Sequence, residues 1–276
     1  MEIIDTHAHP YHPDESVYPM IPDPFRPPPG IGTIEHLRRD TSESGVAKAV
    51  LIQTGSAYLW DNRMIADTAA ANRDWTTAVC NLDAAAPESV DEFERLFAGF
   101  NVTGLRLEPE RSSGAYYHDG SVRLMAAAQR LGAVICAHIN APALPELSRL
   151  LTEFPDVPVV LDHCAYPQVT KGLDDDVVQA VCGLAAHANL NLKLTFGVTS
   201  SQREYPFSDT QLLLRHFVQV FGPDRCMWGS DFPTEHWLGE KCSYVLHLQL
   251  ILEALELSAG EREAILGGTP MRIWFG

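Results

Sequence analysis

The sequence predicts a single (β/α)8 (TIM) barrel, and three observations carry that prediction. Eight short apolar runs recur along the chain, each separated from the next by a stretch of helical periodicity, the pattern of a parallel sheet covered by helices. Several runs end on a histidine, an aspartate or an arginine, and the C-terminal ends of barrel strands are where such folds carry their chemistry. The length, 276 residues, suits one barrel of the usual size of about 250 residues. Residues 1–276 are therefore expected to form one domain, with allowance for local distortion of the barrel. No internal repeat, low-complexity tract or linker marks a second.

The first run, Glu2-Ile3-Ile4-Asp5-Thr6-His7-Ala8-His9, ends in His-x-His. Residues two apart on an extended strand point to the same side, so His7 and His9 enter one space. A pair of imidazoles there suits a divalent metal; a polar strand end meeting only water is the plain alternative. Residues 10–32 then carry Pro22, Pro24, Pro27, Pro28 and Pro29. So long a connection in a compact domain is usually functional, and it is read as a loop over the mouth of a site, with a passive surface excursion as the alternative.

A helix near 33–44 leads to the run 47–53, which ends in Gln53. Residues 61–72 read as a helix opening at Asp61 as N-cap, and 76–81 as the third strand. Pro87 sits near the start of a helix whose buried face is Val90, Phe93, Leu96, Phe97 and Phe100. The fourth run, 102–108, contains Arg106. A helix over 121–131 stops at Gly132, before the fifth run, 133–138, ending in His138. Leu144, Leu147, Leu151 and Phe154 mark the next helix, and the run 157–163 closes on Asp162-His163. Val177, Val178, Val181 and Leu184 mark another helix before the seventh run, 190–195. Leu213, Phe217 and Val220 line the helix before the eighth run, 226–231, which ends in Asp231. A helix near 243–256 and a short one opened by the capping box Ser258…Glu261 complete the pattern.

The balance of 20 Lys+Arg against 36 Asp+Glu gives a formal charge of −16, which disfavours nucleic acid and anionic lipid surfaces as partners. It leaves an anionic or polyhydroxy small molecule free to bind in a pocket with its own field. Six cysteines with no C-x-x-C pair read as reduced thiols of a cytoplasmic protein. No basic leader or long apolar run precedes the first strand, so neither a signal peptide nor a membrane span is expected. A homo-oligomer is compatible with all of this.

In a barrel, strands one, five, six and eight would bring His7, His9, His138, His163 and Asp231 to one mouth. Their nitrogen and oxygen atoms are the ligands a first-row divalent ion prefers, with a position left for water. Each residue alone has a blander reading: a satisfied core histidine, or an aspartate bracing a turn. Five placed alike at strand ends point to shared chemistry.

The opening Asp5-Thr6-His7-Ala8-His9, His138, Asp162-His163 and Gly229-Ser230-Asp231-Phe232-Pro233, in that order along the whole chain, resemble the amidohydrolase superfamily, in its amidohydrolase-related branch. The proline-rich first loop and Trp228-Gly229-Ser230-Asp231 most resemble the lactonases of that branch, which open 2-pyrone-4,6-dicarboxylate and sugar-acid lactones. The resemblance implies a hydrolase that opens a small carboxylated or sugar-acid lactone by activated-water attack. Its alternatives are a metal-dependent decarboxylase of an aromatic or unsaturated acid and, behind that, a ligand-binding barrel without chemistry. It implies His7, His9, His138 and Asp231 as metal ligands, Zn2+ first and Mn2+ second, with Asp231 also the general base and His163 touching substrate or orienting water. A metal-free route, with the imidazoles donating to the substrate carbonyl, stays open.

Arg106 is costly to bury unless an anion meets it, and a substrate carboxylate or a neighbouring acid such as Glu108 would each suffice. Gln53 is either a substrate contact or a polar strand end. Lys193 is read as a structural ion pair, Trp228 as barrel packing, Tyr116 and Tyr117 as exposed loop residues, and His12, His118 and His236 as ordinary surface histidines.

Overall fold

Eight parallel strands run in sequence order β1 to β8, and the computed structural model describes residues 1–276. They are β1 (Ile3–Ala8), β2 (Val46–Ile52), β3 (Thr76–Asn81), β4 (Val102–Leu107), β5 (Val134–Ala137), β6 (Val159–Leu161), β7 (Leu190–Lys193) and β8 (Cys226–Met227). Each pairs in parallel with the next. The seam between last and first is closed beyond β8: Thr6 N donates to Trp228 O at 3.2 Å, His9 N donates to Phe232 O at 2.7 Å, and Ala8 bridges Phe232. The expected (β/α)8 barrel is therefore present, with helices between successive strands.

Two apolar layers hold it. The larger joins the outward strand faces to the helices that cover them, including Leu124 and Ala128 of the helix Asp119–Leu131 and Leu213 and Phe217 of Gln211–Phe221. The smaller fills the barrel interior with Val50, Ile52, Val79, Val134, Cys136, Val160 and Met227, sealed by Trp274 from the last helix, Thr269–Trp274. Gly104 on β4 makes room for that seal, since a Cβ there would lie 2.8 Å from Val134 O and 3.1 Å from the Trp274 ring. Above this plug the interior turns polar.

Strands six and eight are shorter than the sequence pattern suggests, and for one reason. Where a strand must aim a polar side chain into the mouth, its backbone leaves the ladder. After β6, His163, Cys164, Ala165 and Tyr166 all take positive φ, between 49° and 60°, and after β8 Asp231 does the same at 56°. Such backbone costs about 1–3 kcal/mol per residue and tends to gather at functional sites.

Helix ends differ in detail from expectation. Asn62 and not Asp61 holds the N-cap position of the helix Arg63–Ala71, while the Asp61 carboxylate accepts from Arg63 N at 3.2 Å and pairs with the Arg63 guanidinium at 2.6 Å. The helix Asp119–Leu131 starts before residue 121 because His118 caps it, accepting from Gly120 N at 3.2 Å while its own N–H donates to Ser121 Oγ at 3.0 Å. His118 is thus a cap and not a free surface residue. Gly132 ends that helix in the left-handed region as expected, and the Ser258–Glu261 capping box forms. The expected helix over 243–256 is α-helical only over Tyr244–Gln249 and continues in wider turns over Leu250–Ala254. Tyr116 is fully buried, and Tyr117 lies half-buried under the Arg149 guanidinium at 3.6 Å, so neither is an exposed loop tyrosine. All six cysteines are unpaired, and no helix is long and apolar enough to cross a membrane.

Candidate active site

Asp5 is what locks the first strand to the last. Its carboxylate accepts from Ser230 N at 2.9 Å, Ser230 Oγ at 2.6 Å, Tyr244 Oη at 2.9 Å and His7 N at 3.0 Å. Burial raises its pKa, and these four hydrogen bonds pull against the rise. Gly229 completes the junction, because a Cβ there would lie 2.6 Å from the His7 Cβ. The consequence is that His7, His9 and Asp231 meet: His7 Nε2 and His9 Nε2 are 3.0 Å apart, and Asp231 Oδ1 lies 3.5 Å and 3.6 Å from them.

The rings continue the cluster. His7 and His163 have centroids 4.9 Å apart, and His163 and His138 6.3 Å. All five residues predicted for the site therefore share one mouth, which opens as a cavity of about 400 Å³. Strand ends line its depth with His9, Arg106, Glu108, His138, His163 and Asp231; loops line its rim with Gly55, Ser56, Arg111, Tyr166, Thr199 and Trp237. His7 lies just beneath, fully buried.

His138 stands apart from the trio of His7, His9 and Asp231, whose ligand atoms lie within 4.8 Å of one another. Both of its nitrogens are engaged: Nδ1 donates to Glu108 Oε1 at 2.8 Å, and Nε2 accepts from Tyr166 Oη at 2.8 Å. His163 stacks on Tyr166 with centroids 4.8 Å apart, and its buried Nδ1 has no protein partner. Gln53 does not reach the cavity. Its amide donates to Leu59 O and Asp61 O at 3.1 Å and 2.9 Å, so this polar strand end shapes the loop that carries Ser56.

Arg106 meets an acid of the protein, but the partner is Asp162 and not Glu108: its Nε lies 3.0 Å from Asp162 Oδ2. Its other nitrogens remain for the cavity it lines. Lys193 reaches the barrel interior and forms the expected ion pair, 2.9 Å from Asp162 Oδ1. Burial works against ionising Asp162, yet Lys193 and Arg106 beside it hold its carboxyl far below the usual carboxylate range. Glu108 is likewise penalised by burial and ends at about 2, through its bond from His138 and the nearby Arg106.

Burial pushes the other groups toward neutrality. His9 falls to about 3, chiefly by desolvation and then by Arg106, and His7 and His163 are also held well below the ordinary imidazole value by burial. Asp231 moves the other way, up to about 7, with burial first, Asp162 and Asp5 adding to it, and Arg106 and Lys193 opposing. Two neutral imidazoles and a carboxyl poised near neutrality can accept protons, donate hydrogen bonds, or hold a cation.

Tyr166, Arg111, Trp237 and Ser56 were not singled out from the sequence. Of these, Tyr166 lies nearest to a motif residue, three positions past His163. Trp237 belongs to the helix Thr234–Leu238 beyond β8 and packs edge-on to His9 at 6.2 Å, while Phe25 of the proline-rich loop stacks on it at 4.9 Å. His236, beneath Phe25 at 3.9 Å, is part of that aromatic stack. The long loop therefore does reach the rim, through Phe25. Trp228 packs as expected, buried with its Nε1 donating to His247 Nδ1 at 3.0 Å.

A parallel (β/α)8 barrel that converges histidines and an aspartate from different strand ends on one cavity is built as a barrel enzyme with its site at the C-terminal mouth. The chain belongs to the amidohydrolase family, which it matches over residues 4–276. It is 24% identical over 283 aligned positions to a 2-pyrone-4,6-dicarboxylate hydrolase of Comamonas testosteroni, covering 99% of this chain and 90% of that protein. It is 26% identical over 133 residues to an L-fucono-1,5-lactonase of Burkholderia ambifaria; that match takes in 48% of this chain and spans 46% of the lactonase. Among solved structures, an amidohydrolase of Burkholderia multivorans with bound zinc superimposes with a TM-score of 0.81 at 21% identity, over 100% of this chain and 99% of that one.

Proposed function

We propose that this protein hydrolyses a lactone of a small carboxylated or sugar-acid substrate, acting as a single domain in the reducing environment of the cytoplasm. The observation that carries the reading is the convergence of Asp231 with His7 and His9 at the floor of the cavity, their ligand atoms within 4.8 Å of one another; burial raises the Asp231 carboxyl to about 7 there. A general base works best with a pKa near the working pH. The lactone-opening relatives support the substrate class, and the unpaired thiols support the compartment.

Asp231 takes the proton of a water as its oxygen attacks the lactone carbonyl carbon. The ring C–O bond then breaks, and the same carboxyl returns the proton to the departing alkoxide, so that lactone and water become a hydroxy acid. His163 at the mouth supplies a hydrogen bond to the oxygen on which charge develops, and Tyr166, whose hydroxyl is committed to His138, holds the ring in place by stacking on it. Arg106 and Arg111 hold the anionic or hydroxylated remainder of the substrate. Gly55 and Ser56 line the same cavity.

The donor types and spacing of His7, His9 and Asp231 fit a first-row divalent ion, Zn2+ before Mn2+, and the zinc-bound neighbour supports that choice. Held there, the ion would lower the pKa of the attacking water and polarise the carbonyl.

The test is a panel of carboxylated and sugar-acid lactones under pH-stat titration. Acid release from at least one member is expected. No acid from any lactone, together with CO2 from an aromatic or unsaturated acid, would move the assignment to a decarboxylase.

A further inference from the structure

Lys193 is the buried group that the proposed reaction does not use. Its Nζ lies at the bottom of the site with three neighbours: His7 Nδ1 at 3.0 Å, Asp162 Oδ1 at 2.9 Å and Cys136 Sγ at 3.8 Å. A lysine ammonium has three N–H donors and no acceptor, so against His7 it can only donate. His7 Nδ1 therefore carries a lone pair, and the single proton of the neutral ring sits on Nε2.

The far end of the chain of contacts gives the same assignment independently. His9 Nδ1 lies 3.1 Å from Ile52 O, a carbonyl that can only accept, so His9 carries its proton on Nδ1 and a lone pair on Nε2. Across the 3.0 Å between the two Nε2 atoms, His7 must then be the donor and His9 the acceptor. Ammonium, imidazole, imidazole and carbonyl line up with every proton pointing the same way.

That order leaves His9 ready to act as a ligand, whereas His7 can join it only by moving its proton to the other ring nitrogen. A metal ion needs the Nε2 lone pair of each histidine, and on His7 that position holds the proton. To offer it, the ring would have to carry its proton on Nδ1, directly against the Lys193 ammonium. A cation at the trio would also face Lys193 and Arg106, two cations that share the single carboxylate of Asp162.

We infer that Lys193 is a positioning residue that sets the tautomer of His7, aims its N–H into the site, and holds down the affinity of the His7–His9–Asp231 trio for divalent metal. The inference rests on the trio named in the proposed function and is independent of lactone turnover, since neither readout below needs a substrate.

The first readout is 15N NMR of the histidine ring nitrogens in the intact wild-type protein treated with chelator, with His7 assigned by its loss in His7→Asn. A protonated Nε2 and a bare, hydrogen-bond-accepting Nδ1 are expected; a protonated Nδ1 would overturn the inference. The second is Zn2+ binding measured by competition with a chromophoric chelator. Lys193→Met removes the donors at nearly constant volume and should tighten Zn2+ binding roughly 10- to 100-fold, the range set by losing a charged hydrogen bond. Equal or tighter binding by wild type would overturn it. Should Lys193→Met fail to fold, the wild-type spectrum decides alone.

Discussion

The floor and the rim of the cavity are built on opposite principles. On the floor, His7, Asp162 and Lys193 are fully buried and fixed to strands or strand ends, each within hydrogen-bond or ion-pair distance of another. At the rim, Tyr166 and Phe25 come from loops and remain 37% and 47% exposed. Buried charge is tolerated only when paired, so the floor has few ways to rearrange. A rim of aromatic rings on connecting segments can change without disturbing it. The difference teaches which part supplies chemistry and which supplies fit, and it makes graded predictions.

The largest effect is expected on the floor. Asp231→Asn should lower kcat roughly 10²- to 10⁴-fold, the usual contribution of general acid–base catalysis, with the circular dichroism spectrum unchanged. A small loss confined to KM would put the base elsewhere. Next comes the ion network: Asp162→Leu leaves Arg106 and Lys193 without their shared carboxylate and should cost about 3–5 kcal/mol of unfolding free energy in urea. If stability hardly changed, the floor would be less tightly coupled than its distances imply.

A pH experiment probes the packing behind the floor. His247 accepts from Trp228 and is pushed down to about 3 by burial, from an ordinary value of 6.5. Between those values the unfolded chain binds a proton that the folded chain refuses. Its contribution to stability is therefore complete above pH 6.5 and is lost as the pH falls toward 3, by up to about 1.4 kcal/mol per pH unit. In His247→Gln, urea unfolding compared at pH 7.5 and pH 5 should show a shallower decline than wild type; parallel declines would remove His247 as the cause.

The smallest effect belongs to the rim. Phe25→Ala removes an aromatic stack on Trp237 and should raise KM about 2- to 10-fold with kcat and stability nearly intact. A fall in kcat as large as that of Asp231→Asn would erase the distinction between floor and rim.

The two regions also differ in how far they could be read in advance. His7, His9, His138, His163 and Asp231 were visible because strand alternation and strand ends are local properties, and a parallel barrel sends every such end to one mouth. The partner of Arg106 was not visible, since Glu108 is two residues away in sequence while Asp162 comes from a strand two positions round the barrel. The resemblance implies His138 as a metal ligand, yet its nitrogens go to Glu108 and Tyr166, and nothing in the spacing of residues 108, 138 and 166 foretells that. Gln53 offers a substrate contact or a polar strand end in the sequence; it follows β2 directly, and the direction of its amide depends on how the loop over residues 59–61 folds back.

What the sequence by itself determined is the barrel and the identity of the chemistry-bearing strand ends, because apolar periodicity and residue type act over a few neighbouring positions. Only the tertiary structure decided which acid neutralises which base, which aromatic rings frame the mouth, and on which nitrogen His7 keeps its proton. Those outcomes turn on contacts between groups far apart in the chain, 186 residues in the case of Lys193 and His7, and a pairing at such separation is set by the closure of the whole barrel and by no local preference.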